Sequence, residues 1–211
     1  MSKKTSKKEQ RAFMFDVRAA QDDRGNYIEG RPVVYGKEAD IGGMFREEIV
    51  PGALDKTDLH DVCLLTNHDL TRIPLARSRN NNKNSTLQLA VDKEGLRIRA
   101  YLDTENNADA KALYSAIERG DITGMSFMFW IEEERWEDLD TDYPKRFIEK
   151  ISTIVEVSAV TFPAYEDTEI MARDKDALES AKRALESVRE KSLESDELEL
   201  WKEKVKLKGA F

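Results

Sequence analysis

Every proline in this chain, and nine of its ten glycines, precedes residue 172; from Ala172 to Lys208 there is neither. Helix breakers therefore punctuate one part of the chain and are missing from the other, so the two parts must fold by different rules. In the second part Leu178, Ala181, Leu185 and Val188 step by three, four and three, the spacing of a helical seam. Residues 174–208 hold ten acids and nine bases, so the outer faces carry mixed charge. Polar residues from Ser192 to Asp196 interrupt the pattern. The expectation is one or two amphipathic helices that bury their seam on the main domain or on a partner.

The first 170 residues read mainly as strands. Phe13, Phe15 and Val17 recur at period two in RAFMFDVRA, which marks a strand with one buried face. YIEGRPVVYG, VCLLT, TLQLAV and LRIRAYLD are further strands, and Glu94-Gly95 forms a turn between the last two. ADAKALYSAIERG reads as a helix with Ala112, Leu113, Ala116 and Ile117 on its apolar face and Gly120 as its stop. ITGMSFMFWIEEERW, RFIEKIST and IVEVSAVTF complete the strands. Many short strands with one or two helices predict an α+β fold, mainly β, as an antiparallel barrel or sandwich with helices outside. The asparagine-rich stretch 78–85 reads as a polar surface turn.

A net charge of −8 over 211 residues argues against a general nucleic-acid-binding surface. The opening SKKTSKK is a short basic arm, expected to be disordered. No apolar run is long enough for a bilayer and nothing resembles a signal peptide, which predicts a cytoplasmic protein without a membrane partner. The single cysteine, Cys63, excludes an internal disulfide and a multi-cysteine zinc site. His60 and His68 are the only imidazoles available as a neutral-pH base.

Three segments place a reactive residue type at or beside an apolar strand: TNHD with His68, GMSF with Ser126, and VEVS with Glu156. A serine becomes a nucleophile when a base takes its proton, and the base needs an acceptor to fix its tautomer. Each residue also has an ordinary reading. Ser126 fits a tolerated small strand residue, His68 and Asp69 fit a turn, Glu156 alternates with Val155 and Val157 as on a solvent face, and His60 fits an exposed loop. His60 and His68 with Asp61 and Asp69 could supply metal ligands, but their spacing matches no ligand motif. No phosphate loop or dinucleotide fingerprint is present, and no cofactor is expected.

In order along the chain, GRPVVYG, EEIVPGAL, LLTNHD, PLARS, LDTENNADAKALYSAIERGDITGMSFMF and VEVSAVTFPAY resemble the prohead (capsid maturation) serine proteases of tailed bacteriophages, relatives of the herpesvirus assemblins. Together they cover roughly residues 13–171. The resemblance implies a closed β-barrel of herpesvirus-protease type with surrounding helices. It divides the chain into a basic arm (1–11), a protease domain (12–171) and a charged helical tail (172–211). It implies Ser126 as nucleophile and His68 as general base. The third member is a second histidine in the herpesvirus relatives, for which this chain offers only His60. The family's EVS segment offers Glu156, favoured because a carboxylate accepts from the imidazole N–H and stabilises its cation; Asp69 is the reserve. Ala76 and Met128 stand where the family often has glycine, which bears on specificity. The implied function is cleavage of scaffold or of the major capsid protein's scaffolding arm, and of the enzyme itself, inside the assembling prohead in the host cytoplasm. A homodimer is compatible with the assemblin likeness. The alternative is a non-catalytic scaffold or capsid-assembly protein that keeps the protease fold. The tail's seam is expected to target the enzyme to the shell, or else to dock on the domain.

Overall fold

The computed structural model describes residues 7–13, 17–79, 84–161 and 175–208. Eleven strands run in chain order as β1 (Lys7–Phe13), β2 (Arg18–Asp22), β3 (Gly25–Val34), β4 (Glu38–Ile41), β5 (Phe45–Ile49), β6 (Cys63–Thr66), β7 (Ala76–Arg77), β8 (Leu87–Asp92), β9 (Gly95–Tyr101), β10 (Gly124–Glu137) and β11 (Lys145–Val160). The described residues also form two helices, α1 (Ala108–Glu118) and α2 (Lys175–Lys208). Two sheets form. One has the order β2-β3-β9-β8; the other runs β1-β10-β11-β5-β4, with β6 and β7 branching from β11.

The mainly-β, α+β reading holds, but among the described residues the pairing closes no barrel. Nor is it purely antiparallel, because β5 and β6 both run parallel to β11. The reason is the length of β11. RFIEKIST and IVEVSAVTF, expected as two strands, form one 16-residue strand. It pairs with β5 through Lys145–Ile148 and with β6 through Glu156–Ala159. A strand shared this way splits the sheet.

The core lies between the sheets and beneath α1. Ile28, Val33, Leu96 and Ile98 from one sheet meet Met125, Phe127, Phe129 and Val157 from the other, with Leu113 and Ile117 of α1. Phe127 and Phe129, both fully buried, stack with centroids 4.6 Å apart. Each such side chain contributes about 1.5–3 kcal/mol on leaving water. The β8–β9 hairpin turns at Gly95 as predicted; its φ is +134°, and a Cβ there would sit 2.1 Å from the Val33 carbonyl oxygen.

Helix α1 starts at Asn107, whose side-chain oxygen accepts from the backbone of Asp109 and Ala110 at 3.0 and 3.2 Å. It ends before Gly120, which has φ +78°. Ala110, Leu113 and Ile117 are its buried residues, while Ala112 is exposed and Ala116 half-buried.

Strand β1 begins at Lys7, inside the stretch expected as a basic arm, and lies antiparallel on β10. Phe15 and residues 1–6, 80–83 and 162–174 lie outside the described residues, and so do parts of the predicted first strand, the asparagine-rich turn and the VTFPAY segment. Of the one or two helices expected for the tail, one forms, continuous through Ser192–Asp196. Ala181 and Leu185 are buried against Ile41 and Phe45 with Met44, Trp136 and Leu139 around them. Arg189 donates to the backbone oxygens of Leu139 and Thr141 at 3.3 and 2.6 Å. Ala181 and Leu185 therefore dock on the chain's own β4–β5 hairpin, the first of the two placements expected for the seam, the other being a partner. Beyond them Leu193, Leu198 and Trp201 are exposed.

Candidate active site

Alternation along β10 sends Met125, Phe127 and Phe129 into the core and Ser126 to the opposite face. In the antiparallel ladder Ser126 stands opposite Ser158 of β11. Ser158 in turn stands beside Leu65 of β6. Glu156 lies two residues before Ser158, hence on the same face. Cross-strand neighbours have Cβ atoms about 4.5–5.5 Å apart, so one face gathers Ser126, Ser158 and Glu156 within a small area. All three are buried, at 0, 0 and 1% exposure. The solvent-face reading of Glu156 is thus overturned.

His68 follows β6 by two residues and folds back over this row. Its Nδ1 lies 2.5 Å from Oε1 of Glu156. The other carboxylate oxygen of Glu156 accepts from the Ser158 hydroxyl at 2.6 Å. Ser158 Oγ also accepts from the His68 backbone N–H at 3.1 Å. One serine thereby fixes both the carboxylate and the backbone of the histidine. The remaining ring nitrogen, Nε2, is buried with no hydrogen-bond partner among the described residues.

The turn that delivers the ring has unusual backbone geometry. Asn67 and His68 are consecutive non-glycine residues at φ +51° and +58°. Such conformations cost of order 1–3 kcal/mol each and persist where surrounding contacts impose them. Here Asn67 is clamped to the end of β11. Its N–H donates to Ala159 O at 3.0 Å, its side-chain amide donates to Thr161 Oγ1 at 3.0 Å, and its side-chain oxygen accepts from Thr161 N–H at 2.9 Å.

The other candidates lie elsewhere. His60 is exposed, and its backbone N–H is held by Asp58. Asp69 accepts from the Thr71 hydroxyl and backbone at 2.6 and 3.0 Å, contacts that hold its carboxyl below the usual range and turn it into its own loop. Asp61 forms a two-bond pair with Arg77 at 2.6 and 2.8 Å. No group of three or more His, Cys, Asp or Glu that could hold a metal ion occurs among the described residues. Cys63 sits opposite Glu156 in the ladder, and burial pushes its thiol up, away from the reactive thiolate.

Ser158 and Asn67 are site residues the sequence reading did not single out. Ser158 was findable, since it lies at period two from Glu156. Asn67 had a weaker signal, the tolerance of asparagine for left-handed backbone.

This arrangement suits base catalysis: a buried carboxylate fixes one imidazole nitrogen and leaves the other without a hydrogen-bond partner among the described residues. Comparison with curated proteins finds no match. Among solved structures, the bacteriophage T4 capsid assembly protease is similar, with 14% identity, 75% of this chain and 99% of that chain covered, and a TM-score of 0.47. The family model for caudovirus prohead serine proteases matches residues 13–183. The chain belongs to that protease family.

Proposed function

We propose that the chain is a serine endopeptidase of phage capsid maturation, with Ser126 as nucleophile, His68 as general base and Glu156 as the residue that orients it. The observation that carries this reading is the 2.5 Å pairing of His68 Nδ1 with Glu156, which leaves Nε2 as the ring's available base. Glu156 accepts a hydrogen bond from Nδ1–H, so the lone pair resides on Nε2. Nε2 takes the Ser126 proton as Oγ attacks the scissile carbonyl. The imidazolium formed is stabilised by the buried carboxylate. Collapse of the tetrahedral intermediate breaks the C–N bond, and Nε2 returns the proton to the leaving amine. Water then hydrolyses the acyl-enzyme by the same route. Ser158 is a positioning residue, joined to both His68 and Glu156.

Residues 12–171 would form the protease domain and 172–211 its helical appendage. The substrates in this reading are scaffold or the scaffolding arm of the major capsid protein, met inside the assembling prohead. The test is intact mass of wild type beside Ser126→Ala, each incubated with the cognate major capsid protein. Trimming by wild type alone is expected. Equal trimming by both would move the nucleophile elsewhere, and trimming by neither would favour a non-catalytic assembly role.

A further inference from the structure

Between the loop that follows His68 and helix α1 lies a cavity of about 420 Å³, within the range of roughly 300–1,000 Å³ typical of ligand pockets. We infer that this cavity is a specificity pocket that takes one large apolar side chain of the peptide substrate, a proposal that rests on the serine-protease reading of Ser126.

Its position connects it to the proposed nucleophile. Leu65, which lines it, is the ladder neighbour of Ser158, and Ser158 is the ladder neighbour of Ser126. All three lie on one face. Two strand spacings of about 4.8 Å separate Leu65 from Ser126. Ile122, another lining residue, lies two residues before the start of β10. An extended peptide advances about 3.3 Å per residue, so a side chain within about three residues of the scissile bond reaches the cavity.

The lining sets the chemistry. Leu65, Leu113 and Ile122 form apolar wall. Ala112 and Ala116, one turn apart on α1, create the room; any larger residue at either would reduce it. Charge is confined to Asp69, Arg72 and Asp109, where Arg72 meets the two carboxylates at 3.9 and 3.8 Å. These groups are well exposed, so the pairs hold the rim weakly. Two carboxylates against one guanidinium disfavour an acidic side chain there. On the same loop Leu70 and Ile73 are 58 and 83% exposed. Apolar side chains left in water beside an apolar cavity are placed to cover an occupant.

The full-length enzyme is tested on a randomised decapeptide library, with cut positions read by mass spectrometry. Wild type should select Leu, Ile, Met or Phe at one position within three residues of the cut. Alanine at that position should lower kcat/KM by about tenfold or more, the range for groups lost from an apolar subsite. Ala116→Leu and Ala112→Phe should shift that preference toward Ala and Gly. Ile73→Asp, altering a side chain already in solvent, should weaken it without unfolding the chain. No apolar preference in wild type, or an unchanged preference in all three variants, overturns the pocket. A fluorophosphonate probe on wild type separates the two readings. Ser126 labelled with no apolar preference sinks the pocket alone, whereas neither labelling nor cleavage sinks both.

Discussion

Replacing Glu156 by glutamine changes one atom of the proposed site, and the surrounding hydrogen bonds set the consequence. The amide has one acceptor and one donor end. If its oxygen keeps the Ser158 hydroxyl, the NH₂ faces His68 Nδ1, which must then accept. The ring proton moves to Nε2, and the base is disabled. If the amide flips, its oxygen accepts from Nδ1–H and the working tautomer survives. The NH₂ then faces Ser158 Oγ, which already accepts from the His68 backbone at 3.1 Å, and the serine proton loses its acceptor in a fully buried place. An unsatisfied buried donor costs about 1–3 kcal/mol. The disabling orientation therefore dominates by roughly 5- to 150-fold. The fraction that keeps the right tautomer has also lost the charge that stabilises the imidazolium. We predict a fall in kcat of about 10³–10⁴, close to the loss when a triad carboxylate becomes an amide. Adding Ser158→Ala frees the amide to flip and should restore up to about tenfold of that loss. The assay is cleavage of a capsid-derived peptide across pH 5–9, with circular dichroism to verify folding. A Glu156→Gln enzyme within threefold of wild type would refute the reasoning, as would a double variant weaker than the single one.

Other expectations concern stability. Arg146 is fully buried between Glu47, at 3.0 Å, and Glu134; Arg146→Ala should cost about 3–5 kcal/mol by breaking a buried ion pair, and a denaturant midpoint near wild type would contradict this. Two hydrogen bonds from Arg31, at 2.8 and 2.6 Å, hold the Asp92 carboxyl down to about 2. Because that lies below the unfolded value of ~3.9, the pair's contribution is present above pH 4 and fades as pH falls toward 2. Asp92→Asn should accordingly flatten the slope of Tm against pH in that window. Gly95→Ala should destabilise by roughly 1–3 kcal/mol from backbone strain alone, plus the contact with the Val33 carbonyl; an unchanged Tm would mean that the hairpin relaxes freely.

What was legible in the sequence was local. The alternation around Ser126, the stop at Gly120 and the turn at Gly95 follow from period and backbone freedom, and each stands where expected. Parallel pairing of β11 with β5 and β6 had no local signal, because it depends on strands far apart in the chain. Ser152 and Thr153 read as a break in β11, yet polar residues with modest strand preference continue a strand that has neighbours along its length. Ser192–Asp196 interrupts the seam pattern and left one helix or two open, but each residue there costs only a few tenths of a kcal/mol in helix propensity, so one helix runs through. The pairing of His68 with Glu156 spans 88 residues, so spacing could nominate both residues without joining them.

The central place of β11 also orders events in time. It is the common partner of β5, β6 and β10, and it lies late in the chain. At a synthesis rate of roughly 5–20 residues per second, about 4–18 s separate His68 from Glu156. Until β11 emerges from the ribosome, His68 lacks its carboxylate and β10 lacks one of its two neighbouring strands. The nascent chain should therefore be inert, and the proposed protease acquires its catalytic set only once β11 has been made and paired.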